Sequence, residues 1–310
     1  MTVTVIVPTY RRPKDLARCL EALQKQTRPA DEVIVVVRDT DTETWTYIDA
    51  FNLNFLPLRT VKVKVPGVVA AMNAGLDSAT GDIVAFTDDD AAPHPDWLAR
   101  IETHFQADER VGGVGGRDWV YHGTRLEDGQ SEVVGQLSWF GRTIGNHHIG
   151  TGEAREVDIL KGVNMSFRRA AIKELHFDQR MRGTGAQVHF EVAFCLTLKR
   201  AGWKLIYDPK IAVNHYPAQR FDEDQRNSFN GLAVTNAVHN ETLALLEHLS
   251  PTQKFAFFFW STFVGTRDAM GFIQWLRFLP SDGFLAGRKL LASLQGRWQG
   301  WRTSKSGYRV

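Results

Sequence analysis

The sequence GDIVAFTDDD, residues 81–90, places a short apolar run directly before three consecutive aspartates. An apolar run of this kind is typical of a strand that is buried on both faces of a parallel sheet. Adjacent carboxylates repel one another unless a cation or hydrogen bonds compensate, so Asp88, Asp89 and Asp90 favour a site for a hard metal ion. A solvated turn is the alternative interpretation of such a triplet.

Similar apolar runs recur before this stretch and alternate with helical patterns. Strands are predicted at residues 3–7, 32–37 and 61–65, and helices from Pro13 onward and over 68–79. This alternation indicates an α/β fold with a mostly parallel central sheet and helices on both faces. In such sheets ligands bind at the carboxyl ends of the strands, which is where the aspartate triplet falls.

The second half of the chain changes character twice. Residues 111–161 are Gly-rich, which favours antiparallel strands and long loops, and an amphipathic helix is predicted at 188–201. Beyond about Arg220 the pattern is helical, basic and aromatic. We therefore expect a catalytic domain at 1–220 and a helical C-terminal extension at 221–310.

The extension contains the aromatic stretch FAFFFWSTFVGT at residues 255–266. It is shorter than the roughly 20 apolar residues that a spanning helix needs. Aromatic helices with nearby basic residues suit a position in a membrane interface. Packing on the catalytic domain and a dimer contact are the alternatives that the sequence leaves open.

The composition sets limits on function and location. A formal net charge of +2 and the lack of a recognisable motif argue against nucleic-acid binding. The first ten residues lack a signal-peptide pattern, and Cys19 and Cys195 both fall in predicted helices. We expect a cytoplasmic protein, with peripheral attachment to the inner face of the membrane as an extension of the same interpretation.

Four ordered blocks carry a resemblance to a known family. They read VIVPTYRRPKDLARCLEALQKQ, EVIVVVRD, VVAAMNAGLDSATGDIVAFTDDDAAPHPDWL and ILKGVNMSFRRAAI. Together they resemble the family 2 glycosyltransferases, which are inverting enzymes of the GT-A fold, over roughly residues 3–217. The resemblance implies a nucleoside-diphosphate sugar donor, a Mn²⁺ or Mg²⁺ ion at a DXD motif, and transfer of one sugar with inversion.

The resemblance also assigns site residues by position. It implies that Asp90 binds the metal, and that Asp88 faces the ribose and serves as a second metal ligand. His215 occupies a place where many GT-A enzymes have a histidine near the metal or the diphosphate. Other positions implied to contact the donor are Pro8, Thr9, Tyr10, Arg11, Asp39, Asn73 and Asp89.

The loop GVNMSFRR and the helix HFEVAFCLTLKRAGW match further parts of the family pattern. Gly162 and Asn164 are expected to line the site near the donor sugar or the acceptor. Counting back from the Ala-Gly at the end of the helix places the general base on Glu191. His189 is the competing candidate, since histidine titrates near neutral pH.

Two departures affect the nucleotide. The second strand ends in VVRDTDTET, so the acid that reads the base is Asp39 or, less favoured, Asp41. The usual Ala-Arg-Asn is Ala-Met-Asn here, with Met72 replacing a cation, and Arg38 is a candidate to supply the charge. UDP is the default nucleotide, with GDP and dTDP open.

These observations predict a metal-dependent inverting glycosyltransferase. The acceptor is a carbohydrate or a lipid-linked glycan, and cell-surface polysaccharide or glycolipid synthesis is the expected setting. The alternatives are a nucleotidyltransferase, which has a related fold, and a catalytically degenerate module that binds nucleotide sugars or docks on membranes.

Overall fold

The computed structural model describes residues 1–50, 56–225 and 228–306. The chain divides into two units that are not continuous in sequence. The first contains residues 1–136, 144–177 and 194–218, and the second contains 137–143, 178–193 and 219–310. The second unit therefore includes two short segments that precede the predicted extension at 221–310.

The first four strands fall close to the predicted apolar runs. Their bounds are β1 Val3–Thr9, β2 Glu32–Arg38, β3 Leu58–Val63, β4 Ile83–Thr87, β5 Ala91–Pro93, β6 Val111–His122, β7 Arg125–Leu126, β8 Gln136–Leu137, β9 Thr143–Ile144, β10 Arg155–Val157, β11 Asn164–Arg168 and β12 Lys204–His215.

The helices alternate with the strands at first and then dominate the C-terminal third. Their bounds are α1 Pro13–Gln24, α2 Thr42–Ala50, α3 Val68–Ser78, α4 Trp97–Ala107, α5 Arg169–Ile172, α6 Phe190–Arg200, α7 Gly231–His248, α8 Pro251–Phe263, α9 Phe272–Asp282 and α10 Phe284–Lys305. In the described part of the chain, no helix combines the length and hydropathy needed to cross a membrane.

A single mixed sheet of ten strands organises the described residues of the first unit. Its main path runs β10-β12-β6-β11-β4-β1-β2-β3, with β5 paired to β12 and β7 to β6. The β1–β2, β1–β4, β2–β3 and β6–β12 pairs are parallel, whereas β11 is antiparallel to both neighbours. The predicted α/β fold with a central sheet is confirmed, but the sheet is mixed, since the β10–β12, β5–β12 and β6–β7 pairs are antiparallel as well.

Helices cover both faces of this sheet because its central strands are apolar on both sides. Leu16 and Leu20 of α1 belong to the same buried cluster as Val5 of β1. On the other face, a Cβ at Gly75 of α3 would lie 2.5 Å from Cγ2 of Ile6. The alternation of side chains along β1 thus places one helix on each face.

Helices α7 and α10 pack closely in the second unit. A Cβ at Gly296 would lie 2.6 Å from the carbonyl oxygen of Thr235, so α10 approaches α7 there at backbone distance. Between these helices Arg297 is buried and pairs with Glu241, Nη1 to Oε2 2.7 Å. The pair compensates the charges of two buried groups.

Candidate active site

The aspartate triplet lies at the carboxyl end of the sheet because β4 ends immediately before it. All five residues of β4 are buried, between β1 and β11. Strands β1 and β2 run parallel to β4, so the segments that follow them, with Tyr10 and Asp39, leave the sheet at the same edge. The first-strand loop, the second-strand acid and the triplet are therefore neighbours along one edge.

His215 reaches the triplet through strand pairing. The short strand β5 follows the triplet and pairs antiparallel with the end of β12, with Ala91 opposite His215. Two further hydrogen bonds hold the end of β12 in place. The Tyr216 N–H donates to the carbonyl oxygen of Asp90 at 2.9 Å, and the Ala218 N–H donates to Oδ2 of Asp90 at 2.9 Å.

Asp88, Asp90 and His215 come together as a candidate metal centre. One ligand atom from each side chain lies within 4.8 Å of the other two. Nε2 of His215 is buried, has no hydrogen-bond partner among the described residues, and lies 3.5 Å from Oδ1 of Asp90. Two carboxylates and an imidazole suit Mn²⁺, and the carboxylates also suit Mg²⁺. The residues present therefore fit the divalent cation that the sequence predicts.

The charges of this cluster are strongly coupled. Burial lowers the pKa of His215, but the carboxylates of Asp118 and Asp90 outweigh it and raise the pKa to about 9. Burial by itself would raise the pKa of Asp90, yet His215, the Ala218 N–H and Arg12 hold that pKa well below its usual range. A cation that binds here displaces the proton from the imidazole, because a metal ligand must be deprotonated.

Asp89 interacts with Arg12, and more closely than Asp90 does. Nη1 of Arg12 lies 2.8 Å from Oδ1 of Asp89 and 3.5 Å from Oδ2 of Asp90. Burial raises the pKa of Asp89 to about 7, against the lowering effect of the Arg12 charge. Asp89 thus ties the triplet to the start of α1, and its contact with the donor stays a prediction.

Asp118 belongs to this network, although the sequence did not single it out. Its side chain is fully buried on β6, and Oδ2 lies 2.5 Å from Nζ of Lys161 and 3.4 Å from Nδ1 of His215. A carboxylate on one imidazole nitrogen leaves the other free to bind a metal and fixes the orientation of the ring. The available signal was an aspartate that follows Arg117 within a mainly apolar and glycine-rich strand, GGVGGRDWV.

Asp118→Asn is expected to lower the affinity for Mn²⁺ by roughly 10- to 100-fold, because the imidazole of His215 loses its orienting carboxylate. Titration of Mn²⁺ by electron paramagnetic resonance measures this change. Asp128→Asn, at an exposed position, is the matched control. An unchanged Mn²⁺ affinity in a folded Asp118→Asn protein would contradict the orienting role.

The second-strand acids have distinct surroundings. Asp41 is buried, accepts from the Arg11 N–H at 2.6 Å and from the Thr44 hydroxyl at 2.7 Å, and so holds the start of α2. Asp39 is half-buried directly after β2. The structure thus gives Asp41 a structural task, and this supports the choice of Asp39 for the nucleotide.

The loop after β1 has an unusual backbone. Arg11 has a φ of 57°, which is uncommon for a residue other than glycine. Its guanidinium carbon lies 5.2 Å from the centre of the Tyr10 ring, and that of Arg38 lies 6.0 Å from it. Pro8 and Thr9 are the last residues of β1 itself. Two cations therefore flank the aromatic ring at the predicted nucleotide side.

The side chains of two predicted site residues make hydrogen bonds within the fold. The Asn73 side chain bonds the N–H and the carbonyl of Phe177, at 2.8 and 2.9 Å. Asn164 accepts from Nε1 of Trp97 at 2.9 Å and donates to the carbonyl of Ile211 at 2.9 Å. Gly162 lies half-buried in the turn before β11. Contacts of these residues with donor or acceptor stay predictions.

The predicted base belongs to the second unit. Glu191 is half-buried in the first turn of α6, and His189 precedes the helix. His189 and Gln187 both have positive φ, 71° and 41°. Non-glycine residues held in this region cost free energy and cluster at functional sites. This observation is consistent with a functional segment and leaves the choice between Glu191 and His189 open.

The chain is similar to known proteins in sequence and in fold. A glucosyl-dolichyl phosphate glucuronosyltransferase of Haloferax volcanii is 27% identical over 226 residues, which are 69% of this chain and 69% of the relative. The structure of TarS from S. aureus, in complex with UDP-GlcNAc, matches with a TM-score of 0.59 at 17% identity, covering 100% of this chain and 93% of that one.

A second solved structure has the same fold. It is the mannosyltransferase PcManGT of Pyrobaculum calidifontis in complex with GDP-Man and Mn²⁺, with a TM-score of 0.54, 19% identity and coverage of 99% of this chain and 76% of that chain. The model of the family described as "Glycosyl transferase family 2" matches residues 4–176, more than half of the chain. With the GT-A architecture described above, this match shows that the chain belongs to glycosyltransferase family 2 and is a glycosyltransferase.

Proposed function

We propose that the chain transfers a sugar from a nucleoside-diphosphate sugar to a hydroxyl acceptor, with inversion and with the help of a divalent cation. The observation that carries this proposal is the cluster of Asp88, Asp90 and His215 at the carboxyl end of the sheet. A cation bound there would stabilise the negative charge that develops on the departing diphosphate. Family membership favours this function over the nucleotidyltransferase alternative.

Other residues are assigned to nucleoside contact, to orientation of His215 and to removal of the acceptor proton. We assign contact with the nucleoside to Asp39 and the ring of Tyr10, and the guanidinium groups of Arg11 and Arg38 lie beside that ring. Asp118 orients His215 through Nδ1. In an inverting displacement the bond between the anomeric carbon and the diphosphate oxygen breaks as the acceptor oxygen bonds to that carbon. We assign the removal of the acceptor proton to Glu191, on the resemblance alone.

The donor and acceptor follow from the relatives by analogy. The two solved neighbours bind UDP-GlcNAc and GDP-Man, so both uracil and guanine nucleotides are reasonable candidates. The relative from Haloferax volcanii acts, by its name, on a dolichyl phosphate-linked sugar. We propose a lipid-linked glycan as the acceptor, used in glycolipid or polysaccharide synthesis, and peripheral contact with the membrane that holds it.

A thermal-shift screen of UDP, GDP and dTDP, each with Mn²⁺ or Mg²⁺, tests the donor assignment. A ligand at about 100 times its Kd stabilises the folded state by about 2.7 kcal/mol. In a chain of this size that free energy raises Tm by roughly 5 °C. We expect one nucleotide to raise Tm by this amount in the presence of the cation. With a chelator in place of the cation, the same nucleotide should give a smaller rise in Tm. No shift with any nucleotide would refute the proposed donor class.

A further inference from the structure

Helix α8 presents a row of phenylalanines to solvent. Phe255, Phe259 and Phe263 are spaced by four residues and therefore share one face of the helix. Their side chains are 77%, 58% and 46% exposed. The rings of Phe259 and Phe263 lie 4.9 Å apart, and the Phe263 ring lies 6.2 Å from that of Phe272 at the start of α9. The row thus continues from one helix to the next.

Helix α9 extends the same exposed surface. None of its eleven residues is buried, although the sequence FIQWLRFLPSD is largely apolar. A surface helix normally buries its apolar stripe against a core. Here Ile273 and Leu276 are 54% and 58% exposed. We call this surface the aromatic face and define it as Phe255, Phe259, Phe263, Phe272, Ile273, Leu276 and Leu279.

An apolar groove adjoins the aromatic face. It has a volume of about 720 Å³, and its lining includes Trp139, Phe140, Phe255, Ala256, Phe259 and Trp260. Phe255 and Phe259 are thus shared by the groove and the exposed row. Apolar patches of this extent on soluble proteins mark sites of interaction with proteins, ligands or membranes.

Basic side chains accompany the aromatic face. Residues 251–306 contain eight lysines and arginines against two acids, Asp268 and Asp282. Arg297 is buried with Glu241, and Lys289 pairs with Asp282. Arg267 and Arg277 are exposed, with guanidinium carbons 5.3 and 5.5 Å from the centre of the Phe278 ring. Exposed positive charge therefore flanks α9 directly.

The exposed apolar side chains and the positive charge beside them together favour an anionic bilayer as the partner. A second copy of the chain would bring two like-charged surfaces together, which is unfavourable. An anionic bilayer complements both properties, since its headgroups attract arginine and its acyl chains receive aromatic side chains. At 1.5 Å per residue α8 and α9 are only about 20 and 16 Å long, so they are too short to span and suit a position in the plane of the interface.

We propose that the aromatic face docks on an anionic phospholipid bilayer, with Arg267 and Arg277 on the headgroups. Docking would give the enzyme access to a lipid-linked acceptor, and this purpose rests on the proposed function. Its test needs neither donor nor acceptor, so the outcome is independent of the nucleotide screen.

Co-sedimentation of the full chain with phosphatidylcholine vesicles that contain or lack phosphatidylglycerol tests the proposal. The wild type is expected to pellet with the anionic vesicles, and less so at high salt because headgroup attraction is screened. The triple variant Phe255→Ser, Ile273→Ser, Leu276→Ser should lose partitioning on the order of 100-fold, since three large side chains no longer enter the acyl region. Arg267→Glu with Arg277→Glu should remove the preference for phosphatidylglycerol.

The matched control is Val65→Ser, Val133→Ser, Leu232→Ser, which alters three exposed apolar residues outside the aromatic face. Circular dichroism and Tm confirm that each variant is folded. Wild-type protein that stays in the supernatant overturns the proposal, as does equal pelleting of the triple variant. If gel filtration instead shows a dimer that the triple variant converts to a monomer without any lipid binding, the face belongs to a second copy.

Discussion

Asp90→Asn is expected to abolish the thermal stabilisation that Mn²⁺ and a nucleoside diphosphate together give to the wild type. The carboxylate is one of three ligands in the candidate metal centre, and its charge helps to hold both His215 and Arg12 in place. Loss of an orienting partner alone costs roughly 10- to 100-fold in metal affinity, and loss of a ligand costs at least as much. We expect transfer to fall by about 10²- to 10³-fold.

The asparagine keeps the shape of the side chain, and its oxygen still accepts from the Ala218 N–H. Tm without metal therefore reports separately on folding. Asp77→Asn, at an exposed carboxylate on α3, is the control for the loss of one negative charge. A full nucleotide-dependent shift in Mn²⁺ for the Asp90 variant would remove Asp90 from the metal site.

Glu191→Gln is expected to keep donor binding and to lose sugar transfer by about 10²- to 10⁴-fold, the usual contribution of a general base. The amide has the size of the carboxylate but does not take up the acceptor proton. The effect is measured as release of nucleoside diphosphate from sugar donors that carry the nucleotide found in the screen. Release is followed with a lipid-linked acceptor and, without acceptor, as the slower hydrolysis by water. The thermal shift with nucleotide and Mn²⁺ should match that of the wild type.

His189→Gln separates the two candidates for the base. If Glu191 is the base, the His189 variant retains most of its turnover and its pH profile. Glu174→Gln, at an exposed carboxylate after α5, provides the matched control. Near-normal turnover in Glu191→Gln together with a large loss in His189→Gln would transfer the role to the histidine.

Local signals in the sequence explain why much of the sheet was predictable. Strands β1, β2 and β4 are rich in β-branched residues and are buried on both faces, so their sequences are nearly continuous apolar runs. Helix α2 was not predicted because TETWTYIDA has poor intrinsic helix propensity. It forms where the Asp41 carboxylate accepts from the N–H and hydroxyl of Thr44.

Strand β12 differs from what its sequence predicts, for a different reason. The apolar stretches at 204–207 and 212–215 by themselves predict two short strands, whereas the structure has one strand with a register shift between Asp208 and Ala212. Pro209 interrupts the sequence pattern there, but a bulge accommodates a residue without an N–H donor. The apolar pattern that predicts a strand therefore stops before Pro209, although the strand itself continues to His215.

The candidate site was predictable where a local sequence pattern marks its residues. Asp88 and Asp90 follow a recognisable buried strand, and the family pattern located His215. Asp118 lies 97 positions from His215, and their contact depends on the pairing of β6 with β12. Such pairing is a property of the assembled sheet, so the local sequence marks Asp118 as an unusual strand residue but does not show that it contacts His215.

The pairing of β5 with β12 has a consequence for when the candidate metal centre can form. Asp90 and the Ala218 N–H that binds it are separated by 128 positions, and contacts of such high sequence separation form late because the intervening chain must first be ordered. During synthesis the three ligands therefore meet only after β12 has left the ribosome. A cation that binds this centre would therefore bind the folded first unit and not the nascent strands.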